Sequence, residues 1–398
     1  MSSLGAGGVS PHLRSPSESY TLTRMDQMNY GQWVGDVWHD DGTHARIMLN
    51  VEKRSPLVAQ TLTVFPKVPT LRTIASFAFP EFGTEVQVED AEVQVFDPAT
   101  GSLIPIAEFC RIHNFNQPMA KSVHFKFTTR DRVLTGTFEN NLKKGAKFEM
   151  VNTVNDPAAR ADFELDWQSF KEFVAKTYLK KNSIIFRGQP DNRYKLRTSF
   201  HRRDRNDLLQ YLHADVPTLR HAVNAVSSFY YRPDDPEHLG ALLSLGQHHG
   251  YPTPLLDWTE SPYIAAFFAC TEPLNKDKKA DAVRIFVFDM RGWPSEPTPK
   301  IIYDPLPTIT FHRFSAHNNP RFVPQQSVAS FSNVDDMESF IREGEKETDR
   351  KHLTVIDIPI TEKQTVLDEL RLMGITAGSL FPGLDGVCRS LKERDFQS

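Results

Sequence analysis

The feature that most constrains this chain is a change of hydrophobic periodicity near residue 160. Between residues 20 and 152, short runs rich in Val, Ile, Thr and Phe alternate apolar and polar positions, and Asp-Gly, Gly and Pro clusters separate them. Residues 155–160 have a turn-and-linker composition, and beyond them apolar residues recur at helical spacing, beginning with Trp167, Phe170 and Val174. The sequence therefore predicts two parts of different architecture.

These two parts set the expected fold class, which is α+β. Residues 20–155 are predicted to form an antiparallel all-β barrel or sandwich domain, and residues 163–398 a mixed α+β domain. A length of 398 residues suits two or three domains. Residues 1–19 are rich in Ser, Gly and Pro and have no apolar core, so we expect a disordered leader there.

The first part gives the clearest strand signals. A hairpin turn is expected at Asp41-Gly42, and the Gly31–Gly35 run is predicted to pair with Leu134–Phe138 to close the sheet. Trp33 and Trp38 are interpreted as core residues, because an aromatic side chain on a strand is more often part of the core than a ligand contact. A sensing, docking or targeting role suits this part. Its predicted strands are Val34–Trp38, Ala45–Val51, Leu62–Phe65, Val86–Val88, Glu92–Phe96, Val123–Phe127 and Val133–Phe138.

Composition excludes several classes of protein. A net charge of -4 and a pI near 6.4 give no general basic footprint for nucleic acid. The three cysteines, Cys110, Cys270 and Cys388, form neither a metal-binding pair nor a disulfide framework, which favours a reducing compartment. No apolar run approaches the length of a membrane span. We expect a cytoplasmic protein with no membrane partner.

In the second part, a basic residue follows a strongly apolar strand. Ser183–Phe186 is predicted to be that strand, ending at Arg187-Gly188-Gln189. A guanidinium buried there needs a paired carboxylate or phosphate, and an internal salt bridge is one reading. Gly188 would permit close backbone approach or a positive φ beside a ligand.

Residues 193–205 form the one basic cluster, with six cations and a single acidic residue, Asp204. Such a cluster can hold a pyrophosphate or a nucleic-acid backbone, but a solvated surface is the commoner outcome and is favoured here. Leu208–Tyr231 is predicted to be an amphipathic helical region interrupted at Pro217.

Polar and apolar residues are most closely mixed at 246–262. The adjacent His248 and His249 lack the further ligands that a metal site needs, so no metal is expected. Leu255–Trp258 is predicted to be a strand, and Thr259 and Ser261 are N-cap candidates for an apolar helix over Tyr263–Ala269. The remaining predicted strands are Val283–Asp289, Ile309–Phe311, Val328–Ser332 and Leu353–Ile358, followed by a helix over Thr361–Met373 that ends at Gly374.

Four motifs together resemble the FRG domain family. They are Phe-Arg-Gly-Gln at 186–189, the Gln-His-x-Gly-x-Pro-Thr-x-Leu-Leu-Asp-Trp-Thr-x-Ser-Pro run at 247–262, an Arg followed four residues later by Gln at 321–325, and Leu-Phe-Pro at 380–382. The resemblance spans about 165–390. One departure is the sequence Ser327-Val328-Ala329, where the family tends to have a Gly.

The order of these motifs is similar to that of the ADP-ribosyltransferase fold, and this resemblance implies roles for the motif residues. Arg187 would bind a phosphate or ribose of NAD, Thr259 and Ser261 would position the nicotinamide ribose, and Gln325 would occupy the third-motif position. The resemblance also implies substrate contacts from Phe186, Gly188, Gln189, His248, Asp257 and Trp258. His248 is a candidate general base or a structural histidine.

A neutral Gln325 cannot offset the positive charge that develops on a ribose during transfer. Asp257 and Glu260 are nearby carboxylates, and either one is also a candidate salt-bridge partner for Arg187. For Asp257, the partner role is favoured. The motif pattern therefore leaves catalysis open.

Three hypotheses follow. The first is an NAD-consuming or NAD-binding transferase of a toxin or phage-defence type, acting on an unknown macromolecular acceptor, in which Arg187 and Gln325 share one cleft. The second is a non-catalytic module that binds a nucleotide, a protein or a nucleic acid, with the basic cluster at 193–205 as its only route to nucleic acid. A metal-dependent hydrolase is least supported, because no ligand set can be assembled from the spacing.

Overall fold

The protein is described by a computed structural model that covers residues 30–52, 57–64, 72–79, 85–97, 102–116, 118–154, 156–178, 183–271, 280–293, 307–314, 317 and 319–396. The predicted leader at 1–19 and the linker residue Asn155 lie outside the described residues. No helix in these ranges is long and apolar enough to cross a membrane. They also contain no group of three or more His, Cys, Asp or Glu side chains arranged to hold a metal ion.

An antiparallel β barrel occupies the first part, as expected. Eight strands pair in the order β4-β3-β2-β1-β9-β8-β7-β5, and a pairing between the first and last of these, β4 and β5, closes the barrel. The short strand β6 pairs with β5. A short helix, α1 (Ile106–Ile112), precedes β7. The strands are β1 (Gly31–His39), β2 (His44–Glu52), β3 (Leu57–Val64), β4 (Arg72–Phe79), β5 (Val86–Asp97), β6 (Ser102–Ile104), β7 (Ser122–Arg130), β8 (Val133–Asn140) and β9 (Gly145–Val151).

The alternation of side chains explains most of this barrel. Inward positions carry apolar residues such as Trp33, Leu49, Phe127 and Phe148, which form one core cluster. The hairpin at Asp41-Gly42 is confirmed, and Trp33 is fully buried as predicted, whereas Trp38 is half-exposed. Phe65, at the end of one predicted strand, lies outside the described residues.

The predicted closure of the sheet is wrong in one respect. β1 pairs with β9, with Val37 opposite Phe148, and β9 separates β1 from β8. Both glycine-containing strands border β9, and a side chain on either glycine would collide with β9. A Cβ on Gly35 would lie 2.0 Å from the Glu149 carbonyl oxygen, and a Cβ on Gly136 would lie 2.6 Å from the Phe148 ring. The two glycine runs therefore reflect close contacts with a shared neighbour.

The second part is built on a seven-stranded mixed sheet in the order β10-β16-β13-β11-β12-β15-β14. The predicted strands of this part are confirmed to within a few residues, and β11 continues through Arg187 to Gln189. The α+β fold class is therefore confirmed. The strands are β10 (Phe163–Glu164), β11 (Ile184–Gln189), β12 (Leu255–Thr259), β13 (Ala282–Asp289), β14 (Ile309–His312), β15 (Ser327–Ser332) and β16 (Leu353–Pro359).

Helices cover both faces of this sheet. The helix predicted over residues 361–373 is preceded by a 3-10 turn (Ile360–Glu362) and starts at Lys363. Gly374, at the predicted end of this helix, has a φ of +79°. A π-helical turn (Tyr211–Asp215) interrupts the predicted helical region just before Pro217, which itself lies in the first turn of the helix that follows. The helices are α2 (Trp167–Tyr178), α3 (Leu208–Gln210), α4 (Val216–Val226), α5 (Pro236–His248), α6 (Pro262–Thr271), α7 (Met337–Thr348), α8 (Lys363–Leu372), α9 (Ala377–Leu380) and α10 (Leu384–Asp395).

Helix α6 packs directly on β11, and Gly188 makes this possible. A Cβ at Gly188 would lie 1.9 Å from the carbonyl oxygen of Ala265 and 2.8 Å from the amide nitrogen of Ala269. The residue is not among those with positive φ. Of the two predicted roles of this glycine, close backbone approach is therefore the one observed, and the approaching backbone is that of a helix.

A buried carboxylate joins the barrel to the second part. Glu52, at the end of β2, is 2% exposed and accepts hydrogen bonds from Arg205 Nε at 3.0 Å and from the backbone amides of Asn206 and Asp207, both at 2.9 Å. Nearby, the Gln32 side chain donates to the Asn333 carbonyl oxygen at 2.8 Å. Both barrel residues lie at the same end of the barrel.

Gly188→Ala should destabilise the fold by about 1–3 kcal/mol, since the new methyl group would overlap the α6 backbone and force the helix off the strand. Chemical denaturation would measure the change. Gly344→Ala in α7 is the matched control, because its Cβ would meet only the Trp293 ring at 3.5 Å. The control substitution should leave stability unchanged or raise it slightly. Equal losses of stability in the two variants would contradict the close-packing role of Gly188.

Glu52→Ala should cost about 3 kcal/mol of stability, because Arg205 Nε and two buried amides lose their acceptor, although Arg205 keeps its ion pair with Asp215. Glu343→Ala is the control; this exposed carboxylate lies 3.8 Å from Arg46 and its loss should change stability by less than about 0.5 kcal/mol. Denaturant unfolding would compare the two.

The effect of Glu52 should also depend on pH. Burial opposes ionisation of Glu52, but hydrogen bonds from Asp207 and Asn206 and the charge of Arg205 together lower its pKa. The stabilisation is therefore complete above the ordinary glutamate pKa and is lost as pH falls through the lower folded value. The stability difference between the wild type and Glu52→Ala should narrow below about pH 4; a constant difference down to pH 2 would contradict this account.

Candidate functional site

A cleft of about 520 Å³ lies where strands β11 and β12 separate. Within the described chain these two strands pair at one position, Phe186 opposite Thr259, whereas β12 pairs with β15 along its whole length. Backbone groups on both sides of the separation are therefore not used in a β11–β12 ladder. Eight of the sequence-predicted site residues line the cleft: Phe186, Arg187, Gly188, His248, Asp257, Trp258, Thr259 and Gln325.

Arg187 lies on the β11 side of this separation. Its Nη1 donates a hydrogen bond to the backbone carbonyl oxygen of Asp257 at 2.5 Å, so the side chain bridges the two strands. The predicted partner residue is correct, but the observed acceptor is the backbone and not the carboxylate. The half-buried guanidinium is thus held at the edge of the cleft, which it lines.

Asp257 is the one acidic residue among the described residues that line the cleft. Its half-buried carboxylate lies close enough to His248 to act on that ring electrostatically. Glu260, the other carboxylate considered from the sequence, instead forms an exposed ion pair with Arg313. Among the described residues that line the cleft, the negative charge therefore comes from Asp257.

His248 ends α5 at the side of the cleft. Burial lowers the pKa of its imidazole below the usual 6.5, against the opposing effect of the Asp257 carboxylate. The ring is therefore neutral near pH 7 and can accept a proton. Its Nδ1 is buried and has no hydrogen-bond partner among the described residues.

Gln325 is buried and fixed by two bonds. Its side-chain Nε2 donates to the Leu380 carbonyl oxygen at 3.1 Å, and its backbone carbonyl oxygen accepts from Thr259 Oγ1 at 2.8 Å. The third motif is thus tied both to β12 and to the C-terminal Leu-Phe-Pro motif. Arg187 and Gln325 do share one cleft, as the first hypothesis requires.

Other predicted site residues have structural contacts. The Thr259 hydroxyl joins β12 to the third motif, and Ser261 Oγ accepts from the Ile264 amide at 3.3 Å as an N-cap of α6. Trp258 donates its indole N–H to Ser330 Oγ at 3.0 Å within a hydrophobic cluster. Gln189 donates to the Lys195 carbonyl oxygen at 3.3 Å. Gln189 and Ser261 are not among the described residues that line the cleft.

Three further arginines line the cleft, and the motif analysis did not assign them to the site. They are Arg202, Arg203 and Arg321. Arg321 donates to the His248 carbonyl oxygen at 3.4 Å, and its guanidinium carbon lies 5.3 Å from the centre of the Phe381 ring. The sequence did carry a signal for Arg321, because it opens the third motif, and for Phe381, which belongs to the C-terminal motif.

The basic cluster at 193–205 divides into two sets. Arg193 pairs with Asp191, Lys195 with Asp336, Arg197 with Asp335, and Arg205 with Glu52 and Asp215. Arg202 and Arg203 are exposed at the cleft, in a 3-10 turn (His201–Arg203). Four cations of the cluster are therefore paired with carboxylates of the protein, and Arg202 and Arg203 line the cleft.

The cleft is consequently cationic. Four arginines and one carboxylate line its described part, together with the aromatic rings of Tyr251, Phe268 and Phe381. Guanidinium groups of this kind bind phosphate through paired N–H donors, and aromatic rings stack on bases. The site can hold a phosphorylated molecule that carries a flat ring.

Comparison with known proteins agrees with the motifs in the second part. The family model described as the FRG domain matches residues 182–278, which include the Phe-Arg-Gly triplet and the 247–262 run. No curated protein matches the chain. The third and C-terminal motifs lie outside the matched residues, and the resemblance to the ADP-ribosyltransferase fold stays a prediction from motif order.

Solved structures match only part of the chain. One is the redesigned β barrel mFAP1 bound to DFHBI, at 12% identity and a TM-score of 0.21, covering 33% of this chain and 100% of that one. Another is the redesigned barrel b11L5F_LGL, at 9% identity and a TM-score of 0.22, covering 33% and 96%. TM-scores this low do not establish a shared fold. On its family match and motifs, this chain contains an FRG domain at residues 182–278.

Proposed function

We propose that the FRG domain binds an NAD-class dinucleotide in the cleft and cleaves the bond between the ribose and the nicotinamide of that molecule. The observation that carries the proposal is the convergence of Arg187, Arg202, Arg203 and Arg321 around one carboxylate, Asp257. A pyrophosphate has the charge that this set of guanidinium groups would neutralise. The cleft volume also lies within the range of about 300–1,000 Å³ that small-ligand sites occupy.

In the proposed reaction, the bond between C1′ of the ribose and the nicotinamide nitrogen breaks. The electron pair leaves with the nitrogen, so nicotinamide departs neutral and positive charge develops on the ribose. A water or acceptor hydroxyl oxygen then bonds to C1′ and loses a proton. Asp257 would offset the developing charge, and the neutral His248 would take the proton.

The second candidate is a nucleotide-binding module without turnover. Gln325 favours it, because this neutral side chain occupies the third-motif position and is held by the Leu380 carbonyl. Under this alternative the arginines still bind phosphate, and Asp257 serves only to balance their charge. Nucleic-acid binding has less support, since four of the six cations at 193–205 are paired internally.

A role in a toxin or phage-defence system stays part of the first proposal, because consumption of NAD would harm a host cell. The barrel would then act as the sensing or targeting part. The macromolecular acceptor and the cytoplasmic location stay predictions from the sequence.

Arg203→Ala should weaken binding of ADP-ribose about tenfold, the effect of losing one charge-assisted hydrogen bond to phosphate. The side chain is exposed, so the fold should survive its loss. Isothermal titration calorimetry would give the affinities, and Arg111→Ala on barrel helix α1 is the matched control. Undiminished affinity in Arg203→Ala, or an equal loss in the control, would count against phosphate binding in the cleft.

Asp257→Asn should reduce nicotinamide release from NAD by about 100-fold or more while leaving ADP-ribose affinity within severalfold. Mass spectrometry would follow release and calorimetry would follow binding. Wild-type binding without release would select the non-catalytic module. Absence of both binding and release would exclude the NAD proposal and favour a protein partner.

A further inference from the structure

The barrel has a cavity at the end that faces away from the FRG domain, and we propose that it binds a small, uncharged and mainly apolar ligand. The cavity measures about 620 Å³ and is separate from the cleft, with which it shares no described lining residue. This site does not depend on the function proposed for the cleft.

Side-chain size changes along the inside of the barrel. At the end that contacts the second part, Trp33, Phe77, Phe79 and Phe127 are large, buried and part of one packed cluster. An eight-stranded barrel can be filled in this way or can hold one small ligand. The aromatic residues fill the end near Glu52, so any ligand must enter from the other end.

Small side chains form part of the lining at the opposite end, together with larger ones such as Phe115 and Phe138. Ala75 on β4, Val93 on β5 and Val123 on β7 form the wall, and they leave space where the other end has aromatic rings. Phe138 forms part of the same wall, and Met119 approaches from the segment before β7. An apolar cavity of this size is stabilised when an apolar molecule fills it, because the lining side chains regain contacts.

A few polar groups give the cavity a preferred orientation for its ligand. His39, Thr61 and Thr73 line it. Thr61 donates its hydroxyl to the Ala75 carbonyl oxygen at 3.3 Å, so the hydroxyl oxygen can still accept a bond. Burial lowers the pKa of His39, which is therefore neutral near pH 7. These groups suit a ligand with one hydrogen-bonding group.

Charges at the mouth do not select an ion of either sign. Asp40, Asp41, Lys143 and Lys144 lie in the two hairpin turns that border the cavity. The Asp41 carboxylate accepts from the Thr43 amide at 2.9 Å, and Lys143 pairs with Glu139 at 3.0 Å. Among the described residues at the mouth, two acidic and two basic side chains balance, which favours an uncharged ligand.

The test uses Nile red, an uncharged apolar dye whose emission shifts in apolar surroundings, titrated into the full chain. One saturable site is expected. Ala75→Phe and Val123→Phe should each weaken binding by at least about tenfold, since the new rings occupy the cavity. The matched control is Ala78→Phe, which adds the same ring to an exposed position of the same strand.

A second control excludes dye binding elsewhere. Helix α10 exposes Leu384, which is 81% accessible, so Leu384→Ser should leave the affinity unchanged. If neither cavity-filling variant folds, amide hydrogen exchange of the wild type is measured with and without the dye. The dye should then slow exchange of the amides at 72–75 and 121–123. The proposal is overturned by an absence of saturable binding, by unchanged affinity in folded filling variants, or by protection confined to α10.

Discussion

The separation of β11 from β12 is the constraint on which the candidate site depends. Two neighbouring strands that pair at a single position would leave a gap in the sheet, and Arg187 bridges that gap to the Asp257 carbonyl oxygen. Because a half-buried guanidinium is costly without partners, the strand carrying it must stay close to β12. Gly188 fixes the same strand from the other face by allowing α6 to pack on its backbone. The Phe-Arg-Gly triplet therefore joins core packing to the cleft.

The second constraint is the charge network between the two parts. Glu52 of the barrel holds Arg205 and the two amides that follow it, while Asp335 holds Arg197. Arg202 and Arg203 lie between these anchored residues and reach the cleft. The barrel thus helps to position two of the cations in the proposed dinucleotide site, although it contributes no residue to the described lining. Buried carboxylates are suited to this, since their bonds are directional and costly to break.

Much of the fold could be predicted from local sequence. The alternation in the barrel strands, the apolar run of α6 and the four motifs are short-range patterns, and the structure confirms the elements they predict. Strand pairing is different, because it depends on which distant segment completes the sheet. Both glycine strands of the barrel were expected to pair with each other, but β9 lies between them. Likewise, the acceptor for Arg187 is a backbone carbonyl, which no side-chain pattern reveals.

The sequence by itself determined the two-part architecture, the strand that carries Arg187 and the FRG motifs, because each of these follows from residues close together in the chain. The tertiary structure decided which cations of the 193–205 cluster line the cleft. Glu52, Asp335 and Asp336 are distant in sequence, yet they neutralise Arg205, Arg197 and Lys195. A charge acts on whatever lies within a few ångströms of it, so the cationic character of the cleft was settled by folding and not by composition.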